Sequence, residues 1–451
     1  MYRYPDSAVF YRKLNRTYPL VVRGEGCYLY DAAGKRYLDG SGGAFVANLG
    51  HGVTEVGEAM ARQAARVAYV NGTMFTNEPV EQLAGELARL SPGDLDKVYF
   101  LSSGSEAVEA ALKLARQYWV ETGRQTKHRV IALTPAYHGN TLLALSASAR
   151  EHYKTFYSEW LVDITRIPAP YPYRCGCGGK SPLCAACSGA ALEEAILREG
   201  PDRIAAFIAE PVGGSSTGAS VPAPEYFHRV REICDRHEVL FIADEVLTGA
   251  GRTGTWSAIE RYGVVPDIMT LGKGITGGYA PLSAVITSTR VLDPIARGSG
   301  ALLHAQTFSH HAVLAAAGLA AVRYLQEHKL IERCAVMGKV LERRLTSLRS
   351  LPHVGDVRGR GLLAGIEFVE DKETKAPFPR SLKFAETFTQ AAQDAGLVVW
   401  ANVGQADGTN GDLVCLAPPF VITEAQIEEM VGLFTVALQE TVKKLSATAR
   451  A

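Results

Sequence analysis

Five short runs decide what kind of fold this chain can adopt. VYFL (98–101), RVIAL (129–133), IAAFIA (204–209), VLFIA (239–243) and DIMTL (267–271) are almost wholly apolar and rich in β-branched or aromatic residues. A strand that is apolar on both faces must be covered on both faces, which a parallel sheet flanked by helices achieves. Helical patterns lie between the runs, at 106–120, 189–198 and 225–237. Alternation of this kind predicts an α/β protein with a largely parallel sheet. The C-terminal third changes character. LLAGIEFV (362–369) alternates like a strand, and Thr423 with Gln426 has capping-box spacing ahead of a helix running to about Leu445. This third and the first ~65 residues are assigned to a smaller α/β lobe, giving segments 1–65, 66–320 and 321–451, the middle one being the large lobe.

Composition removes several classes of function. Lys plus Arg and Asp plus Glu both number 47 in 451 residues, so the chain lacks the basic footprint of a nucleic-acid binder. The longest apolar stretch, Ala312 to Val322, is 11 residues, too short to span a bilayer. The N-terminal residues contain no apolar core of a secretory signal. Eight cysteines in a chain of this length are not a disulfide scaffold. The expectation is a cytoplasmic enzyme with no membrane or nucleic-acid partner.

Ligands of open parallel sheets bind at the carboxyl ends of the strands, so the residues after each run carry the argument. After VYFL come Ser103, Gly104, Ser105 and Glu106. Ser103 and Glu106 match a capping box, Gly104 permits close backbone approach, and free amides at a helix start suit a phosphate; a plain N-cap is the alternative. After RVIAL come Tyr137, His138 and Gly139, either a turn or an aromatic placed to stack on a planar ligand. After IAAFIA comes Glu210, a carboxylate that is costly at a buried strand end unless paired. After VLFIA come Asp244 and Glu245, whose side chains should point to opposite sides, with Mg²⁺ binding as one reading. After DIMTL comes Gly272-Lys273-Gly274; a lysine in so apolar a setting is desolvated and becomes a nucleophile. A helical stretch over 256–263 would join two parallel strands and bring Asp244 and Lys273 together. A phosphorylated aromatic aldehyde held by a lysine uses the whole set, and pyridoxal 5'-phosphate is that molecule.

These residues resemble the class III, fold-type I, pyridoxal-phosphate-dependent aminotransferases. The likeness runs from Gly26-Cys27-Tyr28-Leu29-Tyr30-Asp31 through Asn48-Leu49-Gly50-His51-Gly52, Ser103-Gly104-Ser105-Glu106-Ala107, Tyr137-His138-Gly139 and Glu210-Pro211-Val212. It is strongest from Phe241-Ile242-Ala243-Asp244-Glu245-Val246 to Gly272-Lys273-Gly274, and ends near Pro418-Pro419. The resemblance implies a large domain with a mixed, mainly parallel seven-stranded sheet and a smaller α/β domain built from both termini. It implies ping-pong transfer of an amino group from a primary amine or ω-amino acid to a keto acid, pyruvate foremost. Lys273 would carry the cofactor and shuttle the proton, and Asp244 would pair with the pyridine nitrogen. Tyr137 and Val246 would take the two faces of the ring, with His138 beside them. Ser103, Gly104 and Ser105 would bind the phosphate, and Glu210 would sit at the substrate end. Thr307, in Gln306-Thr307-Phe308-Ser309, would complete the neighbouring subunit's site in a homodimer, or in a dimer of dimers.

Departures from the family narrow the substrate. Relatives that hold carboxylates with two arginines place one after the Tyr-His-Gly motif and one shortly before the Pro-Pro pair. Here those places are Asn140 and Cys415, which cannot form a bidentate carboxylate pair. The loop 401–411, where ω-amine:pyruvate enzymes often carry a mobile arginine, has none. Ala44 replaces a bulky gate residue, which implies a roomier pocket flanked by Phe75 and Trp160.

Cys175, Cys177, Cys184 and Cys187 fall within 13 residues. They read as a structural zinc site, as free thiols or as disulfides, and no metal is expected in the chemistry. No dinucleotide fingerprint comes after an early strand, and Gly178-Gly179-Lys180-Ser181 lacks the spacing of a phosphate loop. A racemase or aminomutase using the same lysine, and a zinc-bearing interaction protein without catalysis, are the rival readings.

Overall fold

The computed structural model describes residues 2–178 and 184–448. Gly179, Lys180 and Ser181, weighed above as part of a phosphate loop, lie outside the described residues. All five apolar runs are strands of one seven-stranded sheet. Its order is Lys97–Leu101, Ser283–Thr287, Ile268–Leu271, Leu240–Asp244, Ile204–Ala209, Arg129–Thr134, Thr165–Pro168. Only Ser283–Thr287 runs antiparallel, against both of its neighbours. The other neighbouring pairs are parallel. Every side chain of the three central strands Ile204–Ala209, Leu240–Asp244 and Ile268–Leu271 is buried. Each buried Ile or Phe there contributes roughly 2 kcal/mol, so the strand ends that bear the predicted site are held by the best-packed part of the molecule.

Two strands of this sheet escape the apolar-run criterion. Thr165–Pro168 is an edge strand whose Arg166 and Pro168 break the pattern; a proline, lacking an N–H, is tolerated at an edge. Ser283–Thr287 is short and carries hydroxyls at both ends. The helix Gly104–Glu121 covers one face of the sheet, burying Val108, Leu112, Leu114 and Trp119. Its capping box forms as expected, with Ser103 Oγ accepting from Glu106 N and Glu106 Oε2 accepting from Ser103 N. The stretch 256–263 departs from expectation. It forms only one 3₁₀ turn, Ile259–Tyr262, because the preceding Gly249, Gly251 and Gly254 hold the chain in a loop.

Both termini build the smaller sheets. Val21–Glu25, Tyr28–Asp31 and Arg36–Asp39 form an antiparallel meander, and Leu397–Val398 adds to it in parallel. Val354–Arg360, Leu363–Phe368, Asp412–Leu416 and Trp400–Val403 form the third sheet. The Thr423–Gln426 box opens the last helix, Glu424–Thr448. The boundaries expected after residues 65 and 320 both fall inside helices, Thr54–Arg66 and Ala312–Glu327. Arg252 ties the loop after Asp244 to the C-terminal sheet. Its buried guanidinium donates to Leu362 O (3.0 Å) and Pro418 O (2.7 Å) and lies 4.6 Å from the Phe420 ring. Among the described residues no helix is long and apolar enough to cross a membrane.

Candidate active site

Asp244 closes a central strand and is held from three directions. Its Oδ2 lies 2.6 Å from His138 Nδ1, and its Oδ1 accepts from Thr270 Oγ1 (3.0 Å) and Val246 N (3.1 Å). Thr270 stands opposite Asp244 in the parallel pairing of the two strands, so register alone brings them together. Lys273 comes just after that neighbouring strand in a left-handed conformation, φ 43°. Among the described residues no hydrogen bond restrains its amine; burial lowers its pKa, while Asp244 and Glu210 raise it and Arg150 lowers it further. Glu210 lies nearby, accepting from Gly214 N (3.1 Å) and Tyr137 N (3.3 Å). Burial pushes its carboxyl above the usual range, and the Asp244 charge adds to this.

The phosphate side forms at the start of helix Gly104–Glu121. With the box satisfied, the amides of Gly104 and Ser105 have no acceptor inside the helix. Ser105 Oγ bonds Asn140 Oδ1 (2.9 Å), and Ser103 spends its hydroxyl on the cap. Gly104 is required by packing: a Cβ there would meet Val246 Cγ1 at 2.5 Å. Val246 therefore lies directly against the helix start, and Tyr137 is half-buried at the end of its own strand. Open amides, a buried carboxylate with three partners and an unbonded lysine fit pyridoxal phosphate.

Some expectations change. Asp244 and Glu245 do point apart, but they do not form a Mg²⁺ site. Glu245 faces the opposite side, accepting from Ile259 N (2.7 Å) and Thr248 Oγ1, and burial raises its pKa to about 7. The fully buried side chain of His138 pairs with Asp244. Thr307 is exposed. The Gln306 before it donates to Ser102 Oγ and Glu106 Oε1, both at 3.1 Å. Phe75 and Trp160 are 62% and 68% exposed. Cys415 is sealed in an apolar cluster with Phe45, Val212 and Ala417, and burial pushes its thiol up to about 12. A cleft of about 570 Å³ between Trp119, Arg124, Arg231 and Asp267 opens at the amino ends of the strands and holds none of the predicted residues.

One residue was missed. Arg150 is 6% exposed, and its guanidinium lies 4.9 Å from the Tyr137 ring. Its Nη2 donates to Ser215 Oγ (2.6 Å) and its Nε to Ser216 Oγ (3.0 Å). Its charge is felt at Lys273, Glu210 and Cys415. Among the described residues no carboxylate forms an ion pair with it, which is unusual for a buried cation. A lone Arg after Ser-Ala-Ser-Ala carries no signal in one dimension, because the hydroxyls that grip it lie 65 and 66 residues further along the chain.

Comparison with known proteins agrees with this geometry. The model of the class-III aminotransferase family matches residues 10–438. An uncharacterized aminotransferase of Bacillus subtilis, YodT, is 40% identical over 436 residues, covering 96% of this chain and 98% of its own. The putrescine–pyruvate aminotransferase of Pseudomonas aeruginosa is 34% identical over 438 residues, covering 96% and 93%. The ω-transaminase of Pseudomonas jessenii, solved in complex with PMP, superposes with a TM-score of 0.88 at 31% identity, covering 95% of this chain and 94% of that one. Strand-end chemistry, sheet order and sequence lead to one family: the chain belongs to the class-III aminotransferases.

Proposed function

We propose that this chain moves an amino group from a primary amine or ω-amino acid to a monocarboxylic keto acid, pyruvate foremost, by a ping-pong route. It does so as a homodimer that binds pyridoxal 5'-phosphate. The observation that carries the reading is an unbonded, desolvated Lys273 amine set among Asp244, Glu210 and the unpaired Arg150. Bound, the cofactor supplies an aldehyde carbon and an electron-withdrawing ring. Burial favours the neutral, nucleophilic form of the Lys273 amine, the residue that would hold the cofactor through that carbon and, when free, would carry a proton. Asp244, fixed by His138, Thr270 and the Val246 amide, presents a charge-assisted acceptor to a ring N–H. The Gly104 and Ser105 amides would hold the phosphate, and Thr307 of a second copy would complete that site. Tyr137 and Val246 would cover the two faces of the ring.

Arg150 answers how a carboxylate is held without arginines at 140 and 415. Nε and one Nη2 hydrogen are used by Ser216 and Ser215, and Nη1 reaches Tyr153 OH only at 3.5 Å, which leaves the second hydrogens of Nη1 and Nη2 to receive a carboxylate. One such arginine suits one carboxylate, hence pyruvate over 2-oxoglutarate, and the pyruvate in the name of the Pseudomonas aeruginosa relative supports that choice. The test is a panel of amines and ω-amino acids with each acceptor. Transfer to pyruvate at least ~10-fold faster than to 2-oxoglutarate is expected. The reverse preference, or no transfer to either, overturns the reading.

A further inference from the structure

We propose that Cys175, Cys177, Cys184 and Cys187 hold one structural zinc ion, and that this ion fixes a latch between the large sheet and the C-terminal sheet. The four sulfur atoms lie within 4.8 Å of one another. A tetrahedral site with Zn–S bonds of ~2.3 Å has S···S edges of about 3.8 Å, so the cage needs only a small adjustment. The separations are not those of disulfide pairs. Cys175 Sγ lies 2.7 Å from Cys177 Sγ, 3.1 Å from Cys184 Sγ and 3.2 Å from Cys187 Sγ, three partners for one atom. Pairwise bonding would single out one neighbour. Cys184 caps the short helix Ala185–Ser188, and its sulfur accepts from Cys187 N at 3.4 Å. An amide aimed at a sulfur stabilises a thiolate, as in the surroundings of metal-bound cysteines. An all-sulfur tetrahedron selects zinc or an iron–sulfur centre. Zinc is the assignment here, because a single mononuclear cage of this size, built on one loop and needing no redox partner, suits a closed structural site.

The position of the cage gives it a role. The segment leading into it leaves the carboxyl end of edge strand Thr165–Pro168. Tyr171 donates to Glu367 on the strand Leu363–Phe368, and Arg174 Nε donates to Glu367 Oε1 at 2.7 Å. Arg174 also donates to Lys375 O (2.6 Å), while Lys375 Nζ donates to Tyr173 O (2.9 Å). Arg358 closes the network, donating to Tyr171 OH (2.6 Å), Glu367 Oε2 (2.8 Å) and Thr217 O (2.7 Å). Thr217 belongs to the loop whose Ser215 and Ser216 hold Arg150. A metal bond one residue after Arg174 therefore anchors, through Glu367 and Arg358, the loop that positions the unpaired arginine.

The test uses the full-length holoenzyme, purified without chelator, gel-filtered and analysed for metals. About one zinc per chain is expected, with iron below ~0.1 per chain. An organomercurial titration of the wild-type protein in the presence of a zinc-sensing dye should release the whole of that zinc over four thiol equivalents, those of the four clustered cysteines. Cys184→Ser with Cys187→Ser should carry no zinc and melt several degrees lower. Should the double variant not fold, the mercurial titration and the thiolate absorption of cobalt-substituted wild type still decide. A chain that purifies with neither metal, with iron in its place, or with disulfides among the four cysteines by non-reducing peptide mass analysis overturns the proposal. So does zinc that survives in the variant.

Discussion

The two sides of the candidate site are built differently. Asp244, Lys273, Gly104 and Tyr137 stand within a few residues of the ends of buried strands, so the packing of the sheet fixes them. Arg150 and the Ser215–Ser216 loop that grips it are 65 residues apart and meet only through side-chain hydrogen bonds. A strand end is placed by many buried apolar side chains, each worth roughly 2 kcal/mol. A loop contact rests on one or two bonds of about 1 kcal/mol. The first construction preserves a chemistry; the second allows the acceptor to change without disturbing it. Altering either side should therefore produce its own separate loss.

The largest loss is expected on the strand-end side. Lys273→Ala should lower kcat about 10⁴-fold with every donor and acceptor, and Asp244→Asn about 10³-fold. Steady-state rates across the panel check this, and a Lys273→Ala enzyme that discriminated among acceptors would blur the contrast. Arg150→Ala should lower kcat/KM for pyruvate roughly 100-fold, the worth of a charge-assisted pair, while the half-reaction with an uncharged amine donor changes less than ~3-fold. Equal losses in both half-reactions would place Arg150 with the structural residues. Ser215→Ala, which removes one support of Arg150, should raise KM for pyruvate about 5-fold with kcat unchanged.

The smallest effect on activity belongs to Glu245, one residue from Asp244 but facing away. Its folded pKa, raised to about 7 from 4.5, means that the protonated form is the one favoured by folding. Its stabilising contribution is therefore complete below about pH 4.5 and is lost as pH rises through about 7, a change of about 3 kcal/mol across the window. Glu245→Gln should flatten that slope in urea titrations at several pH values and leave turnover within about 2-fold.

Legibility in the sequence runs along the same division. A buried strand announces itself by unbroken apolar residues, and the residues just after it lie at the carboxyl edge of the sheet. That logic placed Asp244, Lys273 and Glu210 in one neighbourhood. It was silent on Thr270, a hydroxyl in an otherwise apolar strand, which became meaningful only once its register with Asp244 was known. It failed over 256–263, where glycines ahead of the segment keep the chain from helical geometry. Arg150 was invisible because its surroundings come from residues 137, 153, 215 and 216. The clustered cysteines were legible as a group, but their convergence was not, since their spacing alone suits thiols, disulfides or a metal.

The most direct measurement is borohydride reduction of the cofactor-loaded protein and then peptide mass analysis. The account predicts one pyridoxyl group per chain, on Lys273, which vanishes when the protein is first treated with an amine donor and returns when pyruvate is added. An adduct on another lysine, or one on Lys273 that persists unchanged after the donor, would contradict it.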